Sequence, residues 1–321
     1  MWDGIQMRRL LLLFALLFVG CGKCMAEANR ESRAASVLFG HFETVFYAKS
    51  DVLAGVYDHV AQHDAEVALF PFLELTEALK SLGSNTSKEM LTSSEAVLLG
   101  AKDFRPPKGL GGVHSQRCYI VILGTHARFD LRAYFHRAPA GSAAGAPVWT
   151  WSAKLGEFGE EDRRPSSFYA AQFANSYLLL SNNPEDLQAT AKAITSSENP
   201  NKVLAGIRDW EQVSQHKVWG YRCYRHSGVV DREAAGMSSV TPGTKALIFL
   251  VDFGNKACVI RLFSSDTNAD TAARISSVYK LPSMKPQAAG VWETRFPLAG
   301  DEESWDRLVT VMDLFGFGVY V

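Results

Sequence analysis

The chain has almost no net charge: 33 lysines and arginines stand against 34 aspartates and glutamates in 321 residues. That balance excludes the strong positive field by which a protein selects nucleic acid. Catalytic signatures are missing as well. There is no G-x-S-x-G, no H-E-x-x-H and no Walker lysine loop, and Gly109-Leu110-Gly111-Gly112 lacks the final glycine of a dinucleotide-binding turn. A serine triad is set by geometry rather than by order along the chain, so missing motifs do not exclude one. No apolar run approaches the roughly 20 residues of a spanning helix.

The longest apolar segment near the start is short and has a basic flank. Met7-Arg8-Arg9 leads into Leu10–Gly20, 11 residues that stop at Cys21. A charged flank, a short apolar core and a small residue are the pattern of an export leader, and Met7 reads as its start. Phe18-Val19-Gly20-Cys21 resembles the lipobox of bacterial lipoproteins, departing from it at Phe18, where leucine is favoured. The resemblance covers about the first 21 residues. It implies cleavage before Cys21 and diacylglycerol on its thiol, two or three acyl chains in all, enough for stable anchoring. Cleavage after Ala26 is the alternative. Gly22 stands where an aspartate would resemble an inner-membrane retention signal, which implies the outer membrane, or otherwise the periplasmic face of the envelope. Cys21-Gly22-Lys23-Cys24 is also a C-x-x-C, but a redox motif needs a strand before it and a helix after it, and a leader supplies neither.

Beyond residue 26 the chain carries 30 basic and 33 acidic residues, and the whole is 47% hydrophobic and 11% aromatic. That is the composition of a folded passenger. With Cys21 lipidated, four of the five cysteines remain. Cys118, Cys223 and Cys258 sit in strand-like runs and are the candidates for a disulfide in an oxidising compartment; buried free thiols are the other reading.

Pattern divides the rest. Residues 27–92 read as mainly helical, followed by α+β units at 93–205 and 206–321. Ala138–Pro147 reads as a surface loop of small residues. Phe168–Ser181 followed by a helix from Pro184 to Ile194, with Asn183 as N-cap, recurs about 80 residues on as Ala246–Ile260 and a helix from Asp266 to Ile275. Each is strand, tight turn, strand, helix, with Phe173 and Phe253 in matching places and Gly254-Asn255 suited to a hairpin turn. The second helix would pack through Ala269, Ala272, Ala273 and Ser276. Two ββα units in tandem predict an α+β fold, mostly antiparallel sheet with helices packed on one face.

Three clusters carry candidate chemistry. His59 and His63, four apart, would share a helix face and present two imidazoles to a divalent ion; exposed surface histidines are the commoner explanation. Trp149 and Trp151 share one face of a strand and could stack a planar or sugar-like ligand, or else pack in a core. His114, His126 and His136 would matter only if a pocket joined one of them to a carboxylate. The sequence therefore predicts an exported, lipid-anchored envelope protein that binds or scaffolds. Its expected partners are the membrane, through the anchor, and an envelope protein or small ligand, with no cofactor and no nucleic acid. The alternative is an exported hydrolase whose active site follows no motif.

Overall fold

The computed structural model describes residues 30–52, 81–83, 94–102, 118–125, 130–135, 138–153, 166–173, 177–196, 199–223, 244–252, 255–265, 269–278 and 280–298. Twelve strands form one antiparallel sheet. They are β1 (Thr44–Lys49), β2 (Ser94–Lys102), β3 (Cys118–Thr125), β4 (Gly141–Ala143), β5 (Ala146–Ala153), β6 (Ser166–Phe173), β7 (Tyr177–Ser181), β8 (Val218–Cys223), β9 (Thr244–Asp252), β10 (Ala257–Ser264), β11 (Lys285–Ala288) and β12 (Val291–Pro297). Their order is β11-β12-β10-β9-β8-β1-β2-β3-β7-β6-β5-β4. Among the described residues the helices are α1 (30–41), α2 (Pro184–Thr195), α3 (Pro200–Leu204), α4 (Trp210–Val213) and α5 (Ala269–Val278), with a helical stretch at 50–52 and a 3-10 turn at Leu131–Tyr134. The class is α+β, as the sequence predicts.

Both faces of the sheet are buried. Val45, Tyr47, Leu98, Leu179, Trp219 and Ile248 face one way, here the front, under α1, α2 and the segment of α3 and α4. Phe46, Val97, Leu99, Leu180, Phe249 and Ile260 face the back, which α5 covers through Ala272 and Ile275. Two positions show how closely side chains approach the sheet backbone, one from the neighbouring strand and one from the end of α1. A Cβ on Gly220 would lie 2.0 Å from Cε1 of Phe249, and one on Gly100 would lie 2.8 Å from the Phe42 ring. Glycine at these points lets the rings lie against the backbone.

Both expected ββα units form. β6-β7-α2 and β9-β10-α5 are each a hairpin followed by a helix. β6 and β9 stand six positions apart in an antiparallel order and so run in the same direction. Their helices nevertheless land on opposite faces: Leu187, Ala191 and Ile194 of α2 at the front, Ala272 and Ile275 of α5 at the back. The resemblance between the units is thus confined to the hairpins. Phe173 closes β6 opposite Tyr177, while Phe253 lies outside the described residues, as does Gly254. In the second turn it is Lys256 that has the positive φ, 46°.

Other local expectations are corrected. Within Ala138–Pro147, Gly141–Ala143 and Ala146 onward form the β4-β5 hairpin, turned by Ala144 and Gly145 at φ 46° and 85°. Two positive φ values in a two-residue turn match the twist of the strands it joins. Its small residues serve the core after all: Ala143 is fully buried, and Gln188 of α2 donates to the Ser142 carbonyl at 2.9 Å. Within the stretch read as mainly helical, residues 44–49 form β1 between helical residues at 30–41 and 50–52. The buried side of α5 is Thr271, Ala272, Ile275 and Ser276, whereas Ala269 and Ala273 are exposed. An alanine weights a helix face only weakly, and Ile275 decides which side turns inward. The first helix follows its pattern: Asn183 Oδ1 accepts from the amides of Glu185 (2.8 Å) and Asp186 (3.1 Å), and Asp186 pairs with Lys102 of β2.

Overpacking at these contacts should be measurable. Gly220→Val displaces the Phe249 ring, and Ala272→Trp lifts α5 from the sheet; each should lower stability by about 1–3 kcal/mol, read from urea unfolding midpoints. A variant of either kind with an unchanged midpoint would contradict the packing described.

Candidate functional site at the amino-terminal helix

The first described element is α1, and its opening turn at Arg30–Arg33 meets β1, β2, β7 and the end of α2. Burial holds α1 in place. Ala34, Ala35, Leu38, Phe39 and Phe42 are all buried against the front face, and full burial of a large apolar side chain contributes about 1.5–3 kcal/mol. Phe39 stacks on Trp219 at 6.1 Å and meets Tyr221 and Trp210 edge-on at 5.2 and 5.8 Å.

Polar groups then fix the first turn of α1. Glu31 accepts from the Tyr47 hydroxyl at 2.9 Å and from Lys49 Nζ at 2.6 Å, both on β1. Arg30 pairs with Glu95 of β2 at 3.2 Å, and the Tyr177 hydroxyl donates to the Arg30 carbonyl at 3.0 Å. Arg33 donates to the carbonyls of Ile194 and Ser196 at the end of α2, where unsatisfied carbonyls carry the negative end of the helix dipole. A shallow notch of about 10 Å³ lies here, lined by Arg30, Glu31, Glu95 and Tyr177 over an apolar floor of Ala34, Ala96 and Leu98. Burial sets the affinity of α1 for the sheet and these bonds set its position, since partly exposed ion pairs are each worth about 1 kcal/mol or less.

The tyrosines here are poor proton carriers near neutrality. Burial pushes the Tyr177 and Tyr221 hydroxyls up to about 12. Tyr47 is raised further, by burial and then by the Glu31 carboxylate. The acids and bases at the junction therefore bind one another and the backbone. Sequence reasoning missed this cluster. Its signal was Tyr47-x-Lys49, two residues apart and so on one strand face, with a buried hydroxyl that must find a partner.

The residues singled out in the sequence lie elsewhere. Trp149 and Trp151 do share a face, the back, and Phe135 covers them, with centroids 6.0 Å from Trp149 and 5.7 Å from Trp151; Trp151 stacks on Phe168 at 5.4 Å. Cys223 and Cys258 are free thiols. Cys223 packs toward the front core and Cys258 into the back core, so the sheet separates them, and burial raises the Cys258 thiol far above its ordinary value. Cys118 begins β3 opposite Lys102. Cys21, His59, His63, His114, His126 and His136 lie outside the described residues. Among the described residues no group of three His, Cys, Asp or Glu could hold a metal ion, and no helix is long and apolar enough to cross a membrane.

No family model matches the chain, and no curated protein matches it in sequence. Solved structures do. The fold is similar to that of TP0453. Its crystal form I has a TM-score of 0.41 at 9% identity, covering 87% of this chain and 96% of that one. Form III gives 0.45 at 7%, covering 86% and 97%, and form IV 0.42 at 7%, covering 84% and 93%.

The raised phenol values make a pH prediction. Below pH 10, the ordinary tyrosine value, folded and unfolded chains both keep their phenol protons and the stabilisation is whole. Between pH 10 and about 12 only the unfolded chain ionises, so stability falls by about 1.4 kcal/mol per pH unit for each such tyrosine. Urea unfolding across that window should show the fall, and Tyr177→Phe should remove about one tyrosine's share of the slope. A slope unaffected by the substitution would mean that the Tyr177 hydroxyl is not desolvated.

Proposed function

We propose that this protein is an exported, lipid-anchored component of the cell envelope, held at the outer membrane or the periplasmic face, whose α+β body binds or scaffolds a partner and performs no chemistry. The observation that carries the reading is the leader: Arg8-Arg9, the 11 apolar residues Leu10–Gly20, and Cys21 directly after a glycine. The way α1 is held supports it. A chain pulled at its anchored end transmits force to the first ordered element, and here that element is bonded to β1, β2, β7 and the end of α2. The use of the junction's acids and bases as structural pairs supports a binding rather than a catalytic role. The partner is an envelope protein or a small ligand, and the balanced charge speaks against nucleic acid.

Expressed in a bacterium that acylates lipoproteins, the full chain should incorporate radiolabelled palmitate and enter the detergent phase on partition. Cys21→Ala should abolish labelling and leave the protein in the aqueous phase. Equal labelling of the two proteins would falsify the anchor.

A further inference from the structure

The strand directions give the sheet two unlike ends. At the end where α1 begins, the near end, lie Lys49, Glu95, Tyr177, Lys217, Asp252 and Arg295, and three connections there are short: 144–145, 174–176 and 253–256. At the far end, where Lys102, Ala153, Cys223 and Thr244 lie, the hairpin connections 103–117, 154–165 and 224–243 are long. The excursion between β1 and β2 leaves and returns at the near end, and Val52 and Leu82 from it pack on the back core.

Arg30 is nine residue steps from Cys21, so the two Cα atoms are at most about 30 Å apart whatever the intervening conformation. This leash is comparable to the sheet itself, since the nine residues of β9 extend about 30 Å. Rigid docking of α1 removes slack at its folded end. The near end also has side chains that suit a phosphate layer. Lys217 and Arg295 are more than half exposed and are only loosely paired, with Asp51 at 3.3 Å and Asp252 at 3.8 Å, and Lys256 is exposed on its turn. Exposed pairs of this kind contribute little, so exchanging a carboxylate for a lipid phosphate costs little.

We infer that the near end of the sheet seats on the phospholipid headgroup layer, with Lys217, Lys256 and Arg295 toward the phosphates, and that the far end points away from the membrane toward the soluble side. This orientation rests on the lipid anchor at Cys21. It assigns a membrane-contacting surface to the folded body.

Energy transfer tests it. The acylated full chain is reconstituted in phosphatidylethanolamine–phosphatidylglycerol vesicles that contain a rhodamine headgroup acceptor. A coumarin amino acid is encoded either at Lys256, near end, or at Lys245, far end; both positions are exposed. Transfer should be at least about twofold greater from position 256, since the two lie about 25 Å apart along the strand direction. A flexible insertion of some twenty glycines and serines after Met25 should bring the two transfers together, because the leash no longer restricts the body. Equal or reversed transfer in vesicle-bound protein without the insertion would overturn the orientation while leaving the anchor intact. A difference that survives the insertion would overturn the leash as its cause. Protein that fails to bind vesicles with Cys21 present would overturn the anchor, and the orientation with it.

Discussion

Everything in this fold depends on the pairing of β1 with strands on both of its sides. Its six residues hydrogen-bond β2 along one edge and β8 along the other, and so join β2-β3-β7-β6-β5-β4 to β8-β9-β10-β12-β11. Every side chain but Lys49 is buried, Phe46 at the back and Tyr47 at the front. Without it, two half sheets would each expose an open edge of unpaired backbone groups. The outer edges are managed differently: β4 is three residues long, and β11 is short, fully exposed, contains Pro286 and carries a register shift.

The same strand ties sequence position to place. Because α1 directly precedes β1 and packs over the front of the sheet, the start of the described chain lies against the central strand. Burial of Leu38, Phe39 and Phe42 supplies most of the stabilisation. The bonds of Arg30, Glu31 and Arg33 choose the register and bring in β2, β7 and α2. Those bonds are individually weak and geometrically specific, so they position the helix rather than stabilise it.

The hairpins were legible before the structure because their information is local. Phe168–Phe173 and Tyr177–Ser181 are apolar runs separated by a short turn, and Ala246–Ile260 reads the same way; Asn183 before Pro184 marks a helix start in two residues. Faces were harder to read. Strands buried on both sides, such as β7, in which all five residues are buried, have no alternation to say which side will receive the helix. The two units therefore looked equivalent in sequence and differ in the face on which the helix lies. β1 carried strand-forming residues, Thr44-Val45-Phe46-Tyr47, but nothing in six residues names the two strands that would flank them.

The candidate junction was illegible for a related reason. Glu31, Tyr47, Glu95 and Tyr177 are far apart along the chain and of common types, and only the docking of α1 across β1, β2 and β7 makes them a cluster. By itself the sequence determined the α+β class, the hairpins and the cap of α2, all encoded by periodicity or by residues within a turn of one another. The tertiary structure alone decided that β1 is the central strand, that α2 and α5 lie on opposite faces, and that Cys223 and Cys258 face away from each other. Those outcomes depend on which distant strands pair, and that choice is made by the burial of the whole sheet rather than by any segment of it.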